Sequence, residues 1–191
     1  LKKKINVLEV GGGYGRSCEA IIKNFNINTY TIIDYKKISI ISKKYLKHIL
    51  TKKEYKKILF IDFVEFNFSK NYFDGKIFDL FVNIDSFHEI ESKIINKYLN
   101  YFKDINNFYI KNAVNKYRPS DLINHLDNWA PPSYNLKLGL NKEIINIFDK
   151  NQLKKSRKDY IKNYNPFGKK HFCHSEFSKI FNFYLHCFFT R

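Results

Sequence analysis

Methionine is absent from the chain, cysteine occurs three times, proline four times and tryptophan once. Cys18, Cys173 and Cys187 are too few and too scattered for a disulfide framework or a cysteine-rich zinc site, so they read as reduced thiols. No apolar run approaches the roughly 20 residues that cross a bilayer. The first residues also lack the charged, apolar and small-residue succession of a secretory signal. Those two absences predict a cytoplasmic protein. The missing initial methionine, with a strand-like run beginning almost at once, predicts a fragment that lacks its natural N-terminal region.

Acidic residues are scarce: 18 Asp and Glu stand against 34 Lys and Arg, for a formal net charge of +16. Such an excess points first to nucleic acid, because cations release counterions from phosphates. The basic residues, however, are nearly all Lys, with only Arg16, Arg118, Arg157 and Arg191 able to offer the bidentate fork that phosphate and base readers favour. Lys here travels with abundant Asn, Ile, Phe and Tyr, as AT-rich codons produce without selection for binding. Residues 35–57 hold nine Lys and one acid, Glu54, spread around a helix, and read as a solvated face before a nucleic-acid or anionic-surface patch.

What is plentiful excludes disorder: hydrophobic residues make up 44% and aromatics 18% of the 191 residues, with 19 Phe and 14 Tyr. That is enough apolar surface for one buried core, and the whole chain, 1–191, is expected to form a single domain. Short apolar runs alternate with amphipathic stretches, which predicts a doubly wound α/β fold with a mostly parallel sheet. Strands are expected over Ile5–Val10, 29–34, Ile58–Asp62, 78–85 and 108–114, and helices over 17–25, 38–50 and 90–102. In the second helix Ile41, Tyr45, His48 and Ile49 mark the expected apolar face. Residues 120–129 read as a helix stopped by Pro131-Pro132, 141–170 as a weakly patterned, partly helical insertion, and 181–189 as a buried, antiparallel last strand.

The most informative stretch is Val7-Leu8-Glu9-Val10-Gly11-Gly12-Gly13-Tyr14-Gly15-Arg16. Glycines let the backbone leave a strand through positive φ and approach a ligand, while the next helix offers free N–H groups. A dinucleotide fingerprint needs glycine at 11, 13 and 16, but position 16 is Arg; a phosphate loop needs Gly-Lys followed by Ser or Thr, which never occurs. What remains is acid-x-Gly-x-Gly-x-Gly at Glu9, Gly11, Gly13 and Gly15.

With this turn the chain resembles the class I S-adenosylmethionine-dependent methyltransferases over roughly residues 4–115. The resemblance implies that Glu9, Gly11, Gly13 and Gly15 wrap the amino-acid part of S-adenosylmethionine and that Asp34, ending the second strand, accepts the ribose hydroxyls. It further implies that Tyr35 covers the adenine, that Asp62-Phe63 meets the adenine amino group and that Asn83 on the fourth strand completes the cofactor site. The Pro-Pro-aromatic motif of amine methylation does not follow that strand, and no cysteine nucleophile stands at a strand end, which favours an oxygen acceptor.

Asn83-Ile84-Asp85-Ser86-Phe87-His88-Glu89-Ile90, with Tyr98-Leu99, Phe108-Tyr109-Ile110-Lys111-Asn112 and Tyr117, is similar to the sugar O-methyltransferases found with bacterial surface-polysaccharide genes. That likeness implies methyl transfer to a sugar hydroxyl, with His88 as base, Glu89 orienting it or holding a hydroxyl, and Asp85 able to do either. The likeness implies an additional N-terminal region upstream of the glycine strand, so the chain is expected to be a fragment without it. Asp85, His88, Glu89 and Asn112 also form an alternative oxygen and imidazole set for a divalent cation. Trp129 offers a flat ring to a pyranose but more readily packs, and His171-Phe172-Cys173-His174 is a weak zinc pattern. Two other functions stay open: an RNA-directed methyltransferase or basic nucleic-acid binder, and an inactive cofactor-fold binding module.

Overall fold

The apolar run Ile5–Val10 forms β1, Ile27–Asp34 forms β2 and Ile58–Asp62 forms β3, and the three lie parallel with Val10 beside Ile33 and Asp34 beside Asp62. In the computed structural model, described for residues 3–69, 72–73, 75–118, 135–168 and 171–191, contacts divide the chain into two units. The first is Leu1–Ile84 with Asp104–Phe108; the second is Asp85–Lys103 with Tyr109–Arg191.

In the first unit β4 (Leu80–Ile84) lies parallel to β1 on the side opposite β2, with Glu9 paired to Val82. The chain thus reverses its direction of travel across the sheet between β1 and β4, the place where doubly wound folds leave a crevice at their strands' carboxyl ends. Val7, Leu8, Ile33, Phe81 and Val82 are fully buried, as expected of strands covered on both faces. Phe81 stacks on Phe108 at 4.7 Å. The crossovers are α1 (Arg16–Asn24), α2 (Lys36–Ile49), the short α3 (Lys52–Tyr55) and α4 (Phe63–Phe66).

The face that α2 buries differs from the expected one: Ser39, Ser42 and Leu46 are buried, while Ile41, His48 and Ile49 are exposed and Tyr45 is half-buried. Close approach explains this. A Cβ on Gly15 would lie 2.9 Å from Leu46 Cδ1, so the helix packs tightly against the glycine turn through the face that carries Leu46.

In the second unit a 3-10 turn (Phe87–Glu89) leads to α5 (Ser92–Tyr101), then β5 (Asn107–Ala113), whose first two residues belong to the first unit. Next come β6 (Lys116–Tyr117), parallel to β7 (Ile144–Ile145), and α6 (Lys150–Tyr164). Asp149 caps α6 by accepting from the N–H groups of Asn151 and Gln152, and the helix buries Leu153, Ser156, Tyr160 and Tyr164. The stretch read as weakly patterned therefore contains a 15-residue helix.

β8 (Phe172–Phe177) and β9 (Tyr184–Thr190) pair antiparallel. The sheet order is β3-β2-β1-β4-β5-β9-β8, a mostly parallel seven-stranded sheet with an antiparallel end, as the sequence implied. β9 is not buried throughout: Leu185, Cys187 and Phe189 point inward while Phe188 is exposed, the period of two expected beside an edge strand. Among the described residues no helix is long and apolar enough to cross a membrane. The expected helix over 120–129, with Trp129 and Pro131-Pro132, lies outside the described residues.

Candidate functional site

β1 ends at the switch point, and its exit turn needs backbone angles that side chains resist. Gly11, Gly13 and Gly15 have φ of 71°, 53° and 97°. Gly11 N–H donates to Ile33 O at 2.9 Å, tying the turn to β2. The Gly13 N–H donates to Asp34 Oδ2 at 2.9 Å, and the Tyr35 N–H donates to Asp34 Oδ1 at 2.7 Å. A Cβ on Gly13 would meet nothing within 4 Å, so the turn presents bare backbone to open space beside a carboxylate. Burial raises the Asp34 carboxyl above its ordinary value, opposed by those two N–H donors.

Glu9 sits beneath the turn, fully buried, accepting from Ser17 Oγ at 2.6 Å and Tyr30 OH at 3.0 Å. Burial pushes its carboxyl up to about 7, against the pull of both hydroxyls. Since the native state holds this proton more tightly than an unfolded chain would, stability declines as pH rises from about 4.5 to about 7, by about 3 kcal/mol in all. Thermal denaturation of wild type and Glu9→Gln at pH 5 and pH 8 is expected to show a fall for wild type that the variant lacks; equal pH slopes would contradict the assignment.

Asp34 and Asp62 are neighbours in register at the carboxyl ends of β2 and β3. Asp62 caps α4 by accepting from Val64 N–H at 3.1 Å. Tyr35, 58% exposed, meets the ring of Phe63 edge-on at 5.4 Å, so an aromatic wall stands beyond the two carboxylates. Asn83 is buried and donates to Val10 O at 2.9 Å, bracing β4 against the last residue of β1.

In the second unit the residues after β4 form a separate cluster. Asp85 takes a left-handed φ of 62°, and its N–H donates to Lys111 O at 2.8 Å. His88 Nδ1 lies 3.4 Å from Asp85 Oδ1 and 3.4 Å from Asn112 Oδ1, and its Nε2 lies 3.7 Å from Glu89 Oε1. The Asn112 amide is oriented by its other bonds: Phe87 N–H donates to its Oδ1 at 3.1 Å, and its Nδ2 donates to Tyr160 OH at 3.4 Å. Two acceptors at 3.4 Å face Nδ1 against one, the Glu89 carboxylate at 3.7 Å, facing Nε2, which favours Nδ1 for the proton of neutral His88 and leaves the lone pair on Nε2. Burial lowers the imidazole's proton affinity, although Asp85 and Asn112 raise it.

Glu89 is raised by burial and by the charge of Asp85. Tyr184, unmarked in the sequence, donates its hydroxyl to Asp85 and sets its ring edge-on to His88 at 6.1 Å. Lys116 is also new: it is buried, its Nζ lies 3.5 Å from His88 O, and burial lowers it to about 8. Lysine followed by tyrosine in a basic chain gives no sign of such a burial. Among the described residues no three His, Cys, Asp or Glu side chains group so as to hold a metal ion, neither at Asp85, His88 and Glu89 nor at His171, Cys173 and His174.

No protein-family model matches this chain, and no curated protein matches it by sequence. Solved structures do. The methyltransferase domain of bacterial CtHen1 superposes with a TM-score of 0.61 at 12% identity, over 97% of this chain and 88% of that one. The fold is that of the class I methyltransferases. Mitomycin 7-O-methyltransferase MmcR has the same methyltransferase fold, with a TM-score of 0.60 at 10% identity over 98% of this chain and 49% of its own. PigF, solved with SAH, gives 0.58 at 12% identity over 97% and 50%. The chain therefore spans about half the length of these last two methyltransferase-fold proteins and most of the first.

Proposed function

We propose that the chain binds S-adenosylmethionine on the β1 glycine turn and transfers its methyl group to an oxygen acceptor, a sugar hydroxyl in glycan assembly. The observation that carries this reading is the Gly13 N–H to Asp34 bond at 2.9 Å beside a glycine with empty space where a side chain would stand. The residues fit the cofactor by their chemistry. Each Asp34 oxygen already accepts one N–H and has a lone pair left for a ribose hydroxyl. Tyr35 and Phe63 offer an exposed aromatic edge for a purine, and Glu9 holds the turn from below. When bound, the cofactor supplies a methyl on a sulfonium sulfur, electrophilic without further activation.

His88 Nε2, carrying the lone pair, takes the proton of the acceptor hydroxyl as its oxygen gains the methyl. Asp85, facing Nδ1–H at 3.4 Å, stabilises the imidazolium that results, and Asn112 fixes the ring's tautomer. Glu89 holds a neighbouring hydroxyl of the acceptor. MmcR, a 7-O-methyltransferase by name, and PigF with SAH support oxygen chemistry and this cofactor for the fold.

The test is transfer of labelled methyl from S-adenosylmethionine to a panel of nucleotide sugars, with single-stranded RNA as the competing acceptor. Label on a sugar hydroxyl is the expected result. Label on RNA alone would replace the sugar reading with the nucleic-acid one, and no transfer to any acceptor with the cofactor bound would leave a binding module.

A further inference from the structure

One flank of α2, next to its buried face of Ser39, Ser42 and Leu46, carries isoleucine where a solvated helix would carry polar side chains. Ile38, Ile40, Ile41 and Ile49 are 37%, 50%, 48% and 39% exposed. Ile38, Ile41, Tyr45 and Ile49 recur at the helical spacing that places them on one stripe. Tyr14, itself exposed, packs on the Tyr45 ring at 4.5 Å and extends the stripe beyond the helix. Lys37 and Lys44 border it, Lys36, Lys43 and Lys47 stand behind them, and Lys52 and Lys53 follow on α3. Among the described residues no carboxylate forms an ion pair with Lys36, Lys37, Lys44 or Lys47.

We propose that this face docks the protein on an anionic lipid surface. Lipid satisfies both halves of the pattern: isoleucines enter the boundary between headgroups and acyl chains, while lysines extend along them to anionic headgroups. Nucleic acid satisfies only the lysines, since single strands are held by stacked aromatic rings and Arg planes, and a row of aliphatic side chains adds nothing to phosphate contacts. A second copy satisfies only the isoleucines, because two such faces would bring like charges together.

Co-sedimentation of the full chain with vesicles tests this, comparing phosphatidylcholine alone with phosphatidylcholine containing phosphatidylglycerol. Binding is expected only to the anionic vesicles, weakening as salt rises. Lys44→Gln with Lys47→Gln is expected to lower it about 30-fold. Ile38→Ser with Ile41→Ser, which keeps every charge and alters only exposed positions, is expected to lower it about tenfold with the circular dichroism spectrum unchanged. Failure to bind, equal binding to neutral vesicles, or undiminished binding of the isoleucine variant overturns the proposal. So does binding of single-stranded RNA that the lysine and isoleucine variants weaken as much as they weaken vesicle binding, or a dimer that the isoleucine variant abolishes.

Discussion

Gly13→Val is expected to weaken S-adenosylhomocysteine binding about 100-fold or more while leaving the protein folded. Two effects add. A β-branched residue at φ 53° costs on the order of 1–3 kcal/mol, and its side chain projects into the open space beside Asp34 that the proposed cofactor would fill. Because no protein atom lies within 4 Å of that direction, the side chain meets ligand before it meets core. Asp34→Ala is expected to act by the other route, taking the acceptor from the N–H groups of both Gly13 and Tyr35 and, on the proposed reading, from the ribose hydroxyls. Isothermal calorimetry on both variants, with thermal denaturation as the fold control, reads the effect. Affinity within twofold of wild type for either folded variant would remove its residue from the binding site.

His88→Gln is expected to reduce kcat by 10²- to 10⁴-fold, on the order found when a general base is removed, with S-adenosylhomocysteine affinity unchanged. The separation follows from placement, since Gly13 and Asp34 belong to one unit and His88 to the other. The pH profile carries the stronger signature. Burial holds the His88 imidazole below its ordinary value of 6.5, so it stays neutral and basic at pH 7, and kcat/KM falls only as pH drops through that lowered value. In His88→Gln the acid limb should vanish. Retention of both the limb and the rate would assign the proton to another group.

The parallel half of the fold was legible because its strands are uninterrupted apolar runs ending in residues with few alternatives. Glycine at 11, 13 and 15 marks positive φ, and Asp34 ends β2 where the register requires it. The buried face of α2 was not legible. Apolar periodicity selects Ile41 and Ile49, but Leu46 packs against Gly15, and the face it shares with Ser39 and Ser42 is the buried one, leaving the isoleucines exposed. β8 was hidden for a related reason: Cys173, His174, Ser175 and Glu176 lack the alternation of a half-buried strand, and the strand exists through its pairing with β9.

The candidate base was visible as a histidine after β4, but its state was not. The tautomer depends on the Asn112 amide, which is turned by Phe87 N–H and the Tyr160 hydroxyl, and those partners come together only in the folded chain. Lys116 and Tyr184 escaped notice on the same ground, since each matters through a neighbour remote in sequence.

The most direct test of the account is a calorimetric titration of the unaltered protein with S-adenosylhomocysteine, NAD and ATP in parallel. A glycine turn with Arg at position 16, and an Asp34 carboxylate held beside it by the Gly13 N–H, predicts saturable one-to-one binding of S-adenosylhomocysteine and no comparable heat from the other two. No binding of S-adenosylhomocysteine, or tighter binding of NAD or ATP, would contradict it.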